Sequence, residues 1–166
     1  WWRHRFEQMS HYFDAFRIDH ILGFFRIWSI PIHAVDGIMG HFIPAVPVSI
    51  HEFGEKGIWF DYERYCKPFI DFDILQETFG DSADYIASTF LTHNNRGGYD
   101  LLPEFNTQIK VQEHFQHLED TEHNHKLRQG LFDLISSVLL FEEEGSGAEK
   151  FHFRFAMENT PGFRRL

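Results

Sequence analysis

Residues 13–20 read Phe-Asp-Ala-Phe-Arg-Ile-Asp-His, a short apolar run that closes on a charged triplet. Four to six residues of that character are about the length of one strand buried on both faces, as in a parallel sheet covered by helices. Side chains alternate along a strand, so Arg17 and Asp19 point to the same side, with the guanidinium beside the carboxylate. An arginine so placed orients the carboxylate through charge-assisted hydrogen bonds. The pair admits two readings, an oriented nucleophile at the end of a strand or a buried structural ion pair, and spacing leaves both open.

The flanking sequence extends the pattern. Trp2, Phe6, Met9 and Phe13 recur at spacings of four, three and four with charged residues between them, which predicts an amphipathic helix packed on the strand that follows. A helix-like run over 21–30 then makes the order helix, strand, helix, which is α/β logic. Pro31, Gly37, Gly40, Pro44 and Pro47 break all periodicity, so residues 31–49 are expected to form a long ordered loop of the kind that lines a substrate cleft. Trp28 is either a sugar-stacking ring or, in its Phe/Ile-rich setting, a core side chain.

From about residue 50 the texture turns helical. A short helix is expected over 59–65. Asp73 is read as the N-cap of a helix ending at Gly80, and Asp81 as the start of another running to Leu91. Asn94 to Gly98 form a turn cluster, and Thr107 caps a helix running to His117. Leu127, Leu131, Leu134, Ile135, Val138, Leu139 and Phe141 give one broad apolar face, predicting a helix over 122–141. Phe151, Phe153 and Phe155 alternate with polar residues, so 150–156 reads as a half-exposed strand, and Asn159 to Gly162 as a turn. Residues 50–166 are thus expected to be a mainly helical insertion after a 1–49 unit.

The formal charge of −10 argues against a nucleic-acid backbone or an anionic membrane as partner, since both select basic surfaces. A neutral carbohydrate is indifferent to it. Cys66 is the single cysteine, so no internal disulfide forms, and no apolar run approaches 18 residues; a cytoplasmic location is the expectation. His114, His117, His123 and His125 crowd a Glu-rich stretch but lack a His-Glu-x-x-His pattern and a fixed third ligand, so no metal site is assigned. Gly54-Glu55-Lys56-Gly57 lacks the spacing of a phosphate loop and reads as a turn. Cys66 has no nucleophile constellation and reads as an inert, buried or half-buried thiol. No cofactor is expected, and the oligomeric state is left open.

The wording from Tyr12 to His20, followed by Gly23-Phe24-Phe25-Arg26-Ile27-Trp28-Ser29-Ile30-Pro31, resembles glycoside hydrolase family 77, the 4-alpha-glucanotransferases or amylomaltases. The resemblance is dense over 1–47. Beyond residue 50 it holds for a subgroup with an extra segment between nucleophile and acid/base, the plant cytosolic and Bacteroides-like disproportionating enzymes. It implies that the Arg-Ile-Asp-His segment closes the fourth strand of a (β/α)8 barrel. Asp19 is then the catalytic nucleophile, Arg17 its electrostatic partner, and His20 a sugar-contacting neighbour; Trp28 is a candidate sugar contact on its ring chemistry alone. A complete barrel of this kind needs about 250 residues, so the resemblance makes the chain a piece of one. The implied substrates are alpha-1,4-glucans or maltooligosaccharides, transferred by retaining double displacement. The family's acid/base Glu and second Asp have no match among these residues and are expected beyond Leu166; alone, the segment is expected to be inactive. The alternative is a helical interaction or glycan-binding module in which the Arg-Ile-Asp segment is structural.

Overall fold

The structure is a computed structural model, and it describes residues 1–165. Helix α1 (Trp2–Met9) presents Trp2 and Phe6 on one side and holds Arg3 to Glu7 one turn on at 2.9 Å. The predicted packing of this helix on the following segment is aromatic: Trp2 meets Phe24 at 4.7 Å and Phe6 stacks parallel on Phe16 at 4.9 Å. The helix stops at Met9, with Phe13 outside it.

The strand predicted at 15–19 does not form. Residues 14–20 run as irregular backbone with every side chain exposed. A strand of a parallel sheet needs backbone partners at its flanks, and among the described residues no other strand runs beside this one. The helix predicted over 21–30 is likewise replaced, by a 3-10 turn at Ile21–Phe24 and by β1 (Ile27–Ser29). The loop predicted over 31–49 contains a further 3-10 turn at Gly37–Met39 and two strands, β2 (His41–Ile43) and β3 (Val48–Ser49). β1 and β2 form an antiparallel hairpin that pairs Trp28 with Phe42. The β-branched and aromatic residues of 27–30 suit a pleated surface better than a helix, and the Pro/Gly-rich stretch supplies the long connection.

Helices α2 (Ile50–Glu55) and α3 (Tyr62–Cys66) follow, each with a side-chain cap. Ser49 and Glu52 close a reciprocal capping box on α2. Asp61 accepts the Arg64 amide N–H at the start of α3 and takes both terminal nitrogens of Arg96 at 3.1 and 3.2 Å, which lowers its carboxyl pKa below the ordinary range. Helix α4 (Phe72–Phe79) is capped by Asp71, two residues before the predicted Asp73, and ends at Gly80 with φ at 54°, a conformation that favours glycine. Helix α5 (Ala83–Phe90) begins after a 3-10 turn at Gly80–Ser82, and leads into the hairpin of β4 (Leu91–His93) and β5 (Tyr99–Leu101). Asn94 shapes its turn, accepting N–H groups of Arg96 and Gly98 at 3.0 Å each.

Helix α6 (Gln108–Gln116) carries the predicted Thr107 cap. Helix α7 (Glu122–Ser136) is shorter than the 122–141 pattern: Leu140–Glu142 form β6, paired with β7 (Lys150–Phe153). The apolar run merged a helical face with a buried strand, and the break falls at Ser136 and Ser137, a residue type whose hydroxyl competes for backbone groups; Ser136 donates to the Asp133 carbonyl. β3 pairs with the other edge of β7, so Ser49 lies opposite Lys150 and the two ends of the 50–149 stretch sit side by side. A 3-10 turn at Met157–Asn159 and α8 (Pro161–Arg164) follow. Among the described residues the architecture is mixed α/β, with three small antiparallel sheets and no closed barrel. No helix among the described residues is long and apolar enough to cross a membrane.

The main core joins α4 to α7 around Ile74, Leu75, Ile86, Phe90, Val111 and Leu131. A second cluster gathers Leu139, Leu140 and Phe151 with Phe53, Phe60, Tyr65 and Cys66. Burial, aided by Glu142 and Glu63, pushes the Cys66 thiol up to about 12. Against a free thiol near 8.5, that leaves about a thousandfold less thiolate at pH 8. Iodoacetamide labelling mapped by peptide mass spectrometry is therefore expected to modify Cys66 about a thousandfold more slowly in the native protein than in urea; comparable rates would show the cluster open.

Candidate active site

The candidate residues lie in the first 46 residues, where only Met39 and Gly40 are buried. Arg17 Nε stands 2.8 Å from Asp19 Oδ1, so the predicted pair forms even without the strand, held by two residues of extended spacing. Among the described residues both side chains face solvent, Arg17 at 88% and Asp19 at 69% exposure. With Nε engaged on Oδ1, Asp19 Oδ2 is left for another partner.

His20 sits at φ 55° and ψ 47°, in the left-handed region. For a non-glycine residue that costs about 1–2 kcal/mol, and such positions persist where surrounding structure imposes them. Here the His20 carbonyl accepts the Gly23 N–H at 2.8 Å, starting the 3-10 turn and reversing the chain directly after Asp19.

Trp28 lies apart from this pair, on the hairpin. Its indole Nε1–H donates to the Gly37 carbonyl at 2.9 Å, and its ring meets Phe42 and Phe155 edge-on at 4.9 and 6.0 Å. None of these contacts reaches Arg17, Asp19 or His20. The ring packs over Gly40, where a Cβ would fall 2.3 Å from Nε1; a side chain there cannot coexist with the observed indole position. Trp28 is half-buried and lines a cleft of about 200 Å³ with Arg26, Gly40, His41, Phe42 and Phe153. Arg26 covers the Phe42 ring at 5.3 Å and donates to the Pro44 carbonyl. His41 stacks on His152 at 4.9 Å, and burial together with that second imidazole lowers its pKa. The cleft thus offers aromatic faces, one cation and imidazoles, a lining suited to a neutral polyol.

Glu52 is occupied by the Ser49 amide and hydroxyl, which lower its pKa. Of the histidine cluster, His114 packs edge-on against Phe90 and Phe105, and His125 pairs with Asp120 and Arg128. Gln108, which sequence reasoning passed over, is fully buried and reaches across to the 33–36 loop, as do His152 and Phe155 to the hairpin. A glutamine at the first position of a helix carries no sequence mark of such a role.

Residues 1–139 match the family described as 4-alpha-glucanotransferase, a span that takes in the Arg17–Asp19 pair, His20 and Trp28. The whole chain is 38% identical over 170 aligned residues to the 4-alpha-glucanotransferase DPE2 of Oryza sativa subsp. japonica, and spans 18% of that protein's length. No solved structure matches the chain significantly. The extent of the family match and the full-length identity to this relative establish that the chain belongs to glycoside hydrolase family 77, the 4-alpha-glucanotransferases.

Proposed function

We propose that the complete protein transfers segments of alpha-1,4-glucan between maltooligosaccharides by retaining double displacement, with Asp19 as nucleophile. The observation that carries the reading is the family match across residues 1–139, which contains the exposed Arg17–Asp19 pair. Asp19 Oδ2 attacks the anomeric carbon, and the glycosidic bond to the leaving oxygen breaks as that oxygen takes a proton from a carboxylic acid outside this chain. The 4-hydroxyl of an acceptor glucan then attacks the glycosyl ester, giving its proton to the same carboxylate, and Asp19 is released. Two inversions restore the configuration. Arg17 holds the attacking carboxylate by its other oxygen. His20, thrown outward by its left-handed turn, and Trp28 contact the sugar.

In the complete protein we place residues 1–49 in a (β/α)8 barrel whose flanking strands come from other parts of the sequence. The support is the bare apolar surface here: Phe13, Leu22, Ile32 and Val46 are 60%, 76%, 96% and 96% exposed. Apolar exposure on that scale fits a surface made to be covered. The 50–149 stretch, which leaves and returns at neighbouring strands, fits an insertion into that barrel. Incubating the complete protein with maltotriose alone is expected to release glucose together with longer maltooligosaccharides, with little net hydrolysis. Hydrolysis without chain-lengthened products would overturn transfer.

A further inference from the structure

The helical segment holds the loop between β1 and β2 through a buried amide. Gln108, fully buried at the start of α6, uses its whole hydrogen-bonding capacity. Its Oε1 accepts the backbone N–H groups of Val35 and Asp36 at 2.7 and 2.8 Å. Its Nε2 donates to Asp36 Oδ2 and to the Phe132 carbonyl of α7, both at 3.2 Å. Beside it the Ile109 N–H, one of the otherwise unpaired donors in the first turn of α6, donates to the His33 carbonyl at 3.2 Å. The next residue along the loop is Gly37, whose carbonyl holds the Trp28 indole. One short path therefore runs from α7 through Gln108 to Asp36, Gly37 and Trp28.

From this path we propose that Gln108 is a positioning residue for the aromatic platform: the helical segment fixes, through this side chain, where Trp28 holds a glucan ring. The inference rests on the reading that Trp28 contacts substrate. A buried amide with four satisfied bonds tolerates little displacement, because any shift leaves a polar group unpaired. The loop is gripped by the backbone N–H groups of Val35 and Asp36 and by the Asp36 carboxylate. Trp28 is then clamped between the Gly37 carbonyl, Gly40 and the edges of Phe42 and Phe155, which leaves its ring one resting place.

The test is a double-mutant cycle in the complete protein, assayed by maltotriose disproportionation. Trp28→Ala is expected to raise KM about tenfold with kcat within a factor of about two, the loss of one aromatic contact made equally in ground and transition state. Gln108→Met, similar in shape but without the amide, is expected to raise KM by about threefold to tenfold with the same kcat, and the double variant is expected to match Trp28→Ala alone, since coupled residues are non-additive. Gln108→Asn keeps an amide but falls one methylene short of the loop, and reads the same coupling if the methionine variant does not fold. KM effects that multiply in the double variant, or Gln108 variants that lower only the melting temperature, overturn the inference while leaving the substrate reading intact. An unchanged KM in Trp28→Ala overturns the substrate reading of Trp28, and the inference with it.

Discussion

Asp19→Asn in the complete enzyme is expected to lower glucan transfer by about four to six orders of magnitude, the loss that follows when a nucleophile is removed from a catalytic set whose members act together. The size of the effect follows from what the amide cannot do. It is a poor nucleophile, and it forms no glycosyl ester from which an acceptor hydroxyl can displace the enzyme. Among the described residues the Arg17–Asp19 pair lies in solvent, where such pairs are worth about 0–1 kcal/mol. In the complete enzyme, where the proposed barrel covers this surface, a far-UV circular dichroism spectrum matching the parent's separates lost chemistry from lost folding. The complementary measurement is covalent. A fluorinated glucosyl donor that forms the ester but discharges slowly is expected to add one sugar to the peptide that contains Asp19, and to add none in Asp19→Asn. Intact disproportionation by Asp19→Asn would sink the assignment, and labelling at another carboxylate would relocate the nucleophile.

Legibility differed sharply between the two parts of the chain. In the helical segment, local signals decided the outcome. Thr107 caps α6, and Asn94 and Gly97 form a hairpin turn, both from interactions within a few residues; the strand expected over 150–156 ends at Phe153, with Phe155 outside it. The largest boundary error lies at the end of α7. Leu140 and Phe141 continue the apolar face of α7 in sequence, but they belong to a sheet whose other strands lie near residues 48 and 151. Burial preference is common to both structures, and only the long-range partner separates them. In the first 49 residues the opposite holds. The run at 15–19 reads as a buried strand because its side chains are apolar, yet a strand is a relation between segments, and no segment described here supplies the neighbours. The Arg17–Asp19 pair was legible because it needs only a two-residue spacing. Gln108 was not, because its role exists only across the 72 to 73 residues that separate it from Asp36 and Val35.

Phe90→Ala is the substitution expected to cost the most stability. Phe90 is fully buried at the end of α5, where its ring meets Phe105 edge-on at 4.7 Å, His114 at 5.5 Å and Phe115 face-on at 6.0 Å. These aromatic neighbours come from the connection between β5 and α6 and from α6 itself. No one of them can move in to fill the space without carrying backbone that is tied elsewhere, such as the Leu102 N–H donating to the Phe90 carbonyl at 2.9 Å. The cavity therefore stays open, and truncation of such a phenylalanine costs about 3–5 kcal/mol, a large share of the 5–15 kcal/mol that ordinarily holds a domain together. The loss is expected to be local to one cluster. The core of α4 to α7 contains none of the residues between Trp1 and Val46, so hydrogen exchange of amides in α5, α6 and α7 is expected to speed up by about two to three orders of magnitude, with the hairpin of β1 and β2 responding far less. Ile32→Ala, at a position 96% exposed, is the control and is expected to stay within about 0.5 kcal/mol when the described residues are compared by themselves. If Phe90→Ala instead loosened α1 and the hairpin as much as α5 to α7, the two parts of the chain would be one cooperative unit, and the helical segment would have to be regarded as part of the enzyme's scaffold rather than as an insertion resting on it.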